Sequence, residues 1–340
     1  MNDIDPSLLE PTAPSPIHAN RWSGERRSSR VLTLVARAPT DAIAAQVDVA
    51  APVPADAVEV RPITPADVRA VADFLHAHLN GRITAAEWAT AMTPPWAVAQ
   101  PNHGFLLGAG ERVVGAYLAF YSKREIAGQE ERFCNLAAWC VLQQYRSLGL
   151  NLLRALLAQK GYHFTDLSPS GNVIALNSRL KFAHLGVTTA LVPNLPWPLG
   201  SRRVRVIAEP REIERALRGH DLEIYRDHAR TGAARHVVAV EGDRSCYVIF
   251  RRDRRKNLPL FASILYVSDK ELFGRVAKYV FRYLLLHHGI PITLAELRVV
   301  GARPRLSIML RSPRPKMYRS ANLRPDQIDY LYSELTCVAW

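Results

Sequence analysis

Cysteine is scarce in this 340-residue chain. The four present, Cys134, Cys140, Cys246 and Cys337, are spaced neither as zinc ligands nor as a disulfide framework. Cys134 and Cys140 read as small hydrophobes in a buried strand. No apolar run is long enough to span a bilayer, and no basic start followed by an apolar core marks a secretory signal. A cytoplasmic protein without a membrane span is therefore expected. The H-E-x-x-H pair, the Walker loop and the G-x-S-x-G elbow are all missing, so neither a metal nor the chemistry of those motifs is expected.

Acidic residues are also few. Thirty-one Asp and Glu face 44 Lys and Arg, a formal charge of +13. Such an excess suits an anionic partner: nucleic acid, an acidic membrane surface or a phosphorylated cofactor. Its densest run, Arg251-Arg252-Asp253-Arg254-Arg255-Lys256, carries no interleaved aromatic residue, which disfavours single-strand binding. It reads as a solvated hairpin loop, and nucleic acid is set aside as the weaker partner.

Hydrophobic residues make up 48% of the chain, enough for two proper cores at this length. Residues 1–55, broken by seven prolines, read as a disordered Pro/Ala-rich tail. Order begins with an alternating strand at 58–63, followed by a helix capped by Thr64 with Pro65 in its first turn. A second helical piece lies near 84–91. Strands at 104–108 and 112–121 make a hairpin about Gly110-Glu111, and a polar connector, 122–132, follows.

Residues 133–142 are apolar, aromatic and uncharged, a buried strand. Leu148, Leu152, Leu153, Leu156 and Leu157 then recur at helical spacing. Between strand and helix lies Gln143-Gln144-Tyr145-Arg146-Ser147-Leu148-Gly149, a polar turn without an acid at the mouth of a helix. Unpaired N–H groups and the positive end of the helix dipole make such a turn fit to hold a phosphate. A strand at 163–168, a helix at 173–180 and a strand at 187–192 complete this half. After a basic linker, 200–210, helices at 211–218 and 221–229 precede a hairpin (236–240 and 245–250). A buried strand (258–267), a long amphipathic helix (270–288) and strands at 293–300 and 305–310 follow. The two halves repeat one order, helix, hairpin, buried strand, long helix, strand.

This order over residues 58 to about 192 resembles the GCN5-related N-acetyltransferase superfamily. The family signature after the fourth strand, Q/R-x-x-G-x-G/A, aligns with Arg146-Ser147-Leu148-Gly149-Leu150-Asn151. Arg146 and Gly149 match, and Asn151 stands where Gly or Ala is usual. Cys140-Val141-Leu142 match the strand end whose backbone pairs with the pantetheine arm. The family also carries an Asn after its fifth strand, for which Asn172 and Asn177 are the candidates. Asn177-Ser178-Arg179-Leu180-Lys181-Phe182 resembles a common ending, N-x-x-L-G-F, with Lys181 in place of Gly and no Tyr to protonate a leaving thiolate. If Leu185-Gly186-Val187 sets the register instead, Phe182 falls at the Tyr position.

The resemblance implies an α/β fold of two acetyltransferase-like domains, 56–199 and 211–340, each a mostly antiparallel twisted sheet flanked by helices. It implies an acyl-CoA-dependent acyltransferase that moves acetyl from acetyl-CoA to the amine of a small molecule or protein. The implied cofactor-binding residues are Cys140, Val141, Leu142, Arg146, Ser147, Leu148, Gly149, Leu150, Asn151 and Asn177. No base is assigned: Glu125, Glu130, Glu131 and Asp166 are candidates, and Tyr117 and Tyr121 are candidate lining of an acceptor pocket. The alternatives are a binding or scaffold protein that has lost turnover, and a nucleic-acid-binding protein.

In the second half the corresponding turn is Val267-Ser268-Asp269-Lys270-Glu271, where a Ser268–Glu271 capping box puts acids where a pyrophosphate would sit. That half is expected to be a degenerate copy serving packing, substrate walls or homodimer contacts.

Overall fold

The structure, a computed structural model, describes residues 57–96, 98–198, 204–255 and 258–340. The 1–55 tail lies outside these residues, as do 200–203 of the linker and Lys256 of the charge run. The first run of elements is β1 (Val58–Pro62), α1 (Val68–His78), α2 (Ala85–Met92), β2 (Gly104–Ala109), β3 (Arg112–Ile126), β4 (Gln129–Val141), α3 (Gly149–Leu157), β5 (His163–Asp166), α4 (Asn172–Arg179), β6 (Ala183–His184) and β7 (Thr189–Pro193). The second is β8 (Val204–Ile207), α5 (Pro210–Ala216), α6 (Gly219–His228), β9 (Arg235–Glu241), β10 (Arg244–Arg255), β11 (Leu258–Val267), α7 (Lys270–His288), β12 (Ile292–Glu296), α8 (Leu297–Val300), β13 (Ile308–Met309) and β14 (Met317–Arg319), closed by α9 (Glu334–Cys337).

Among the described residues the strands form two seven-stranded sheets, ordered β1-β2-β3-β4-β5-β14-β6 and β8-β9-β10-β11-β12-β7-β13. Each holds one parallel pair, β4–β5 and β11–β12, among antiparallel neighbours. The two orders agree position for position, with β14 and β7 in equivalent places. Each half therefore gives its last strand to the sheet of the other. The fold is α/β with two domains of one architecture, as the repeat of elements implied.

Residue alternation along β3 shows how each sheet buries both faces. Ala116, Leu118 and Phe120 join the core under α1 and α2, with Val71, Leu75 and Trp88. Tyr117, Ala119 and Tyr121 face the opposite core, with Leu152, Leu153 and Leu156 of α3. Each such large side chain contributes roughly 1.5–3 kcal/mol on burial. A third core draws Phe133 and Leu167 from the first half and Tyr247 and Leu265 from the second, so the halves share one interior.

Several elements depart from the sequence reading. The polar connector 122–132 is the far end of the β3–β4 hairpin. Ser122–Phe133 through Ile126–Gln129 stay paired, and Ala127 and Gly128, both at positive φ (53° and 78°), make a two-residue primed turn. Its outward side chains are polar, with Lys123 bridging to Glu130 at 2.9 Å. Val204–Ile207 of the linker is β8, paired with β9. The expected strand 293–300 stops at Glu296 and coils into α8, and 305–310 shrinks to the two residues of β13.

The charge run is strand, not loop: it belongs to β10, with Arg252 and Arg254 exposed and Arg251 and Asp253 buried. Period-two alternation holds even where every side chain is charged.

Candidate functional site

Two cavities meet on β4. β4 pairs with β5 only over Phe133–His163, Cys134–Phe164 and Asn135–Thr165, after which the strands part. Beyond that point the β3–β4 register slips between Ala116 and Leu118, and Ala138 takes a left-handed φ of 56°. This is a bulge, and bulges re-aim side chains and release backbone from the ladder. Here it turns Trp139 onto Tyr117, the two rings stacked at 4.7 Å and 6°.

The first cavity, about 790 Å³, opens between β4, the start of α3, and α4. Cys140, Val141, Arg146 and Gly149 line it, with Trp139, His78, Asn172 and Arg179. Among the described residues no carboxylate does. The Gln143–Leu148 turn is a 3-10 helix that runs into α3 at Gly149.

Gly149 is needed for closeness. A Cβ there would lie 3.3 Å from Val141 Cγ2 and 3.7 Å from Trp139 Nε1, so the helix approaches β4 this closely with a side chain only if Val141 gives way. Of the remaining predicted residues, Leu142 is half-buried and its N–H donates to the Val114 carbonyl at 3.0 Å. Ser147, Leu148, Leu150 and Asn151 are not lining residues of this cavity.

The two asparagine candidates separate. Asn172, first residue of α4, lines the cleft, whereas Asn177 is fully buried and donates from Nδ2 to Asp166 Oδ2 at 2.8 Å. The register ambiguity at the end of α4 also resolves. Phe182 N–H bonds to Asn177 O at 3.0 Å and Lys181 N–H to Ser178 O at 3.2 Å, a Schellman motif with Lys181 at φ 65°. Lys181 therefore occupies the glycine position of the ending, and Phe182 is core. An L-residue in the left-handed region costs on the order of 1 kcal/mol. Lys181→Gly is expected to stabilise the fold by about 0.5–1 kcal/mol, seen as a raised urea midpoint at unchanged slope. A lowered midpoint would refute this account of the turn.

The second cavity, about 450 Å³, lies between the two halves. The first half lends Tyr117, Trp139, Asp166 and Ser168, and the second lends Arg251, Asp253, Ser263 and Glu296. Trp139 and Val173 line both cavities.

Asp166 ends β5. Burial, and next the nearby Glu334 carboxyl, push its pKa up to about 7, against the Asn177 hydrogen bond and a backbone bond at Ser168. Glu334 is itself fully buried and its pKa is raised by that burial. Ser168 Oγ donates to its Oε1 at 2.8 Å, and its Oε2 has no partner among the described residues. Burial likewise keeps the Tyr117 hydroxyl protonated. Tyr121 is elsewhere, hydrogen-bonded to Asn102 and Gln159. Glu131 pairs with His163, and Glu130 with Lys123. Of the four carboxylates weighed as bases, Asp166 is the one that lines the cavity.

The second half's equivalent helix start is filled by its own acids. The cap is Asp269 rather than Ser268: Asp269 Oδ1 accepts from Leu272 N–H at 2.8 Å, while Ser268 Oγ accepts from Tyr247 N–H at 2.9 Å. That backbone bond is the largest cause holding the Asp269 carboxyl below its usual range, helped by Arg244.

No protein-family model matches this chain. No curated protein matches it either. Solved structures do. A GCN5-related N-acetyltransferase from Anabaena variabilis superposes with a TM-score of 0.52 at 12% identity, covering 78% of this chain and 73% of that one. A GCN5-related N-acetyltransferase from Kribbella flavida (TM-score 0.47, 14% identity, 77% and 71% covered) and the N-myristoyltransferase of Saccharomyces cerevisiae (0.46, 12%, 83% and 85%) are also similar. The fold is that of the GCN5-related N-acetyltransferases, present here twice, in tandem.

Proposed function

We propose that this chain is an acyl-CoA-dependent acyltransferase that acetylates an amine. The observation that carries this reading is the junction of the two cavities at Trp139. An acid-free cleft with Arg146 and a side-chain-free helix start at Gly149 meets an acid-bearing pocket where β4 and β5 part. A pyrophosphate needs N–H dipoles and cations and tolerates no carboxylate, and the cleft meets those terms. The thioester supplies an activated acyl carbon. The protein's residues hold it in the gap, aim the amine, and offer backbone N–H of β4 to the oxygen that gains charge. As the amine nitrogen bonds to the acyl carbon and the carbon–sulfur bond breaks, Asp166 takes the ammonium proton. A pKa near the working pH suits it to that task.

Two measurements test this. Calorimetry should give one acetyl-CoA per chain, because Asp269 and Glu271 occupy the second helix start; two sites would overturn the assignment. A thiol-release assay over an amine panel should show turnover, and binding without release with every amine would make the protein a scaffold.

The Asp166 carboxyl also sets two opposed pH responses. Turnover requires its ionised form, so kcat/KM for the amine should rise with pH and level above about 7. Stability runs the other way. The folded chain holds this proton up to about 7 and the unfolded one only to 3.8, so folding weakens as pH rises through that interval. Asp166→Asn should lower turnover by about 100-fold or more while raising the urea midpoint at pH 8 and hardly changing it at pH 4. Equal midpoint shifts at both pH values would remove the carboxyl from this role.

A further inference from the structure

Arg251 lines the cavity between the halves at 3% exposure, yet among the described residues no carboxylate forms a salt bridge with it. Its Nη1 donates to the Leu335 carbonyl at 3.1 Å and its Nε to the Arg252 carbonyl at 3.3 Å. Asp253 and Glu334 attract it, but neither hydrogen-bonds it. Asp253 accepts from Arg314 at 2.8 Å and from Ser263 at 2.7 Å, and Glu334 accepts from Ser168. Arg255, half-buried on the same wall, donates to the Ser312 carbonyl at 3.2 Å and has no carboxylate partner either.

The other cations of this wall are neutralised, Arg314 by Asp253 and Lys316 by Glu296. The β10 wall therefore presents two guanidinium groups that no carboxylate salt-bridges, in the cavity that Asp166 also lines. Burying a cation without a counter-ion is costly, and a guanidinium matches a carboxylate or phosphate through paired N–H donors.

From this unpaired charge we infer that the acceptor is a small amine that also carries an anionic group, carboxylate or phosphate, held by Arg251 and Arg255 with its amine directed to Asp166. The inference rests on the transfer reading above and deepens it by naming the substrate class. A cavity of about 450 Å³ fits a molecule of amino-acid size. Two charges of opposite sign at the two ends of the acceptor also fix which end meets the acyl carbon. An amine without an anionic group would leave Arg251 without a salt-bridge partner and would have no preferred orientation.

The test pairs amines that differ only in the anion: phenylalanine with phenethylamine, and O-phosphoethanolamine with ethanolamine, at saturating acetyl-CoA and pH 8. At least one pair should favour its anionic member by tenfold or more in kcat/KM, and which pair responds separates carboxylate from phosphate. In Arg251→Gln that ratio should collapse through a raised KM for the anionic amine, with partial recovery in Arg251→Lys. A structural role would lower both members alike and leave the ratio standing. Arg255→Gln, at a half-exposed position, should shrink the ratio in the same direction and carries the test if Arg251→Gln does not fold. Amines lacking the anion used equally well in both pairs would overturn the inference while leaving acyl transfer intact. If no amine releases thiol, calorimetry with the same four compounds decides: anion-selective binding lost in Arg251→Gln upholds the inference and sinks transfer, and anything else sinks the inference.

Discussion

A chain carrying Arg146→Glu and Gly149→Asp is expected to bind acetyl-CoA about 100-fold more weakly than the wild type, or not measurably, in a calorimetric titration. Two separate physical effects converge on this result. Arg146 is exposed and lines an acid-free cleft, so reversing its charge turns attraction to a pyrophosphate into repulsion. At an effective dielectric constant near 20, one unit charge 4 Å away contributes on the order of 4 kcal/mol before screening, and reversal applies the change twice. Gly149 adds a steric term. A Cβ placed 3.3 Å from Val141 Cγ2 is already tight, and a carboxylate beyond it must enter the cleft at the positive end of α3. Gly149→Ala alone isolates the steric part and should cost less than the double change. An unchanged thermal midpoint shows that the fold survived. Affinity within threefold of the wild type, in a folded double variant, would place the cofactor elsewhere.

Local signals in the sequence led to the right elements wherever packing agreed with pattern. The leucine spacing of 148–157 became α3, and the capped, glycine-stopped run 270–288 became α7 with those bounds. The turn between β4 and α3 was legible for the same reason, since the absence of acids is visible in one dimension. The charged wall of the second cavity was not. Arg251-Arg252-Asp253-Arg254 looks like a solvated run because all its members are charged, yet it alternates in and out like any strand. The apolar flank Tyr247–Phe250 on one side and Leu258 on the other was the signal that strand period continued through it.

Asn177 illustrates a different limit. The sequence places it in a family-like ending, but only the fold shows that its amide nitrogen donates to Asp166. Strand exchange leaves no mark in local sequence. β14 and β7 are three and five residues long, and their partners lie more than 95 residues away, so nothing nearby specifies which sheet takes them.

That exchange yields a second large effect. Residues 56–199 expressed alone are expected not to fold cooperatively, although they contain the cleft lined by Arg146 and Gly149. The isolated segment lacks β14, which fills the position between β5 and β6, pairing Met317–Arg319 with Phe164–Asp166 on one side and with Ala183 and His184 on the other. It also lacks Cys337 and Val338, buried in the core under α1 and α2. Met317 is fully buried against the α3 core.

Each of these side chains contributes roughly 1.5–3 kcal/mol, so their combined loss rivals the whole stability of a domain, about 5–15 kcal/mol. Both edges left by β14 would further expose unpaired backbone and β7 would have no sheet to join, a route to aggregation. Co-expression with residues 200–340 supplies the missing strand without a covalent link, and a soluble one-to-one complex with a single urea transition is the expected outcome. A sharp, reversible transition from residues 56–199 alone would show that the first half stands without its borrowed strand. The cavity built by both halves would then lose its claim to be a fixed feature of the fold.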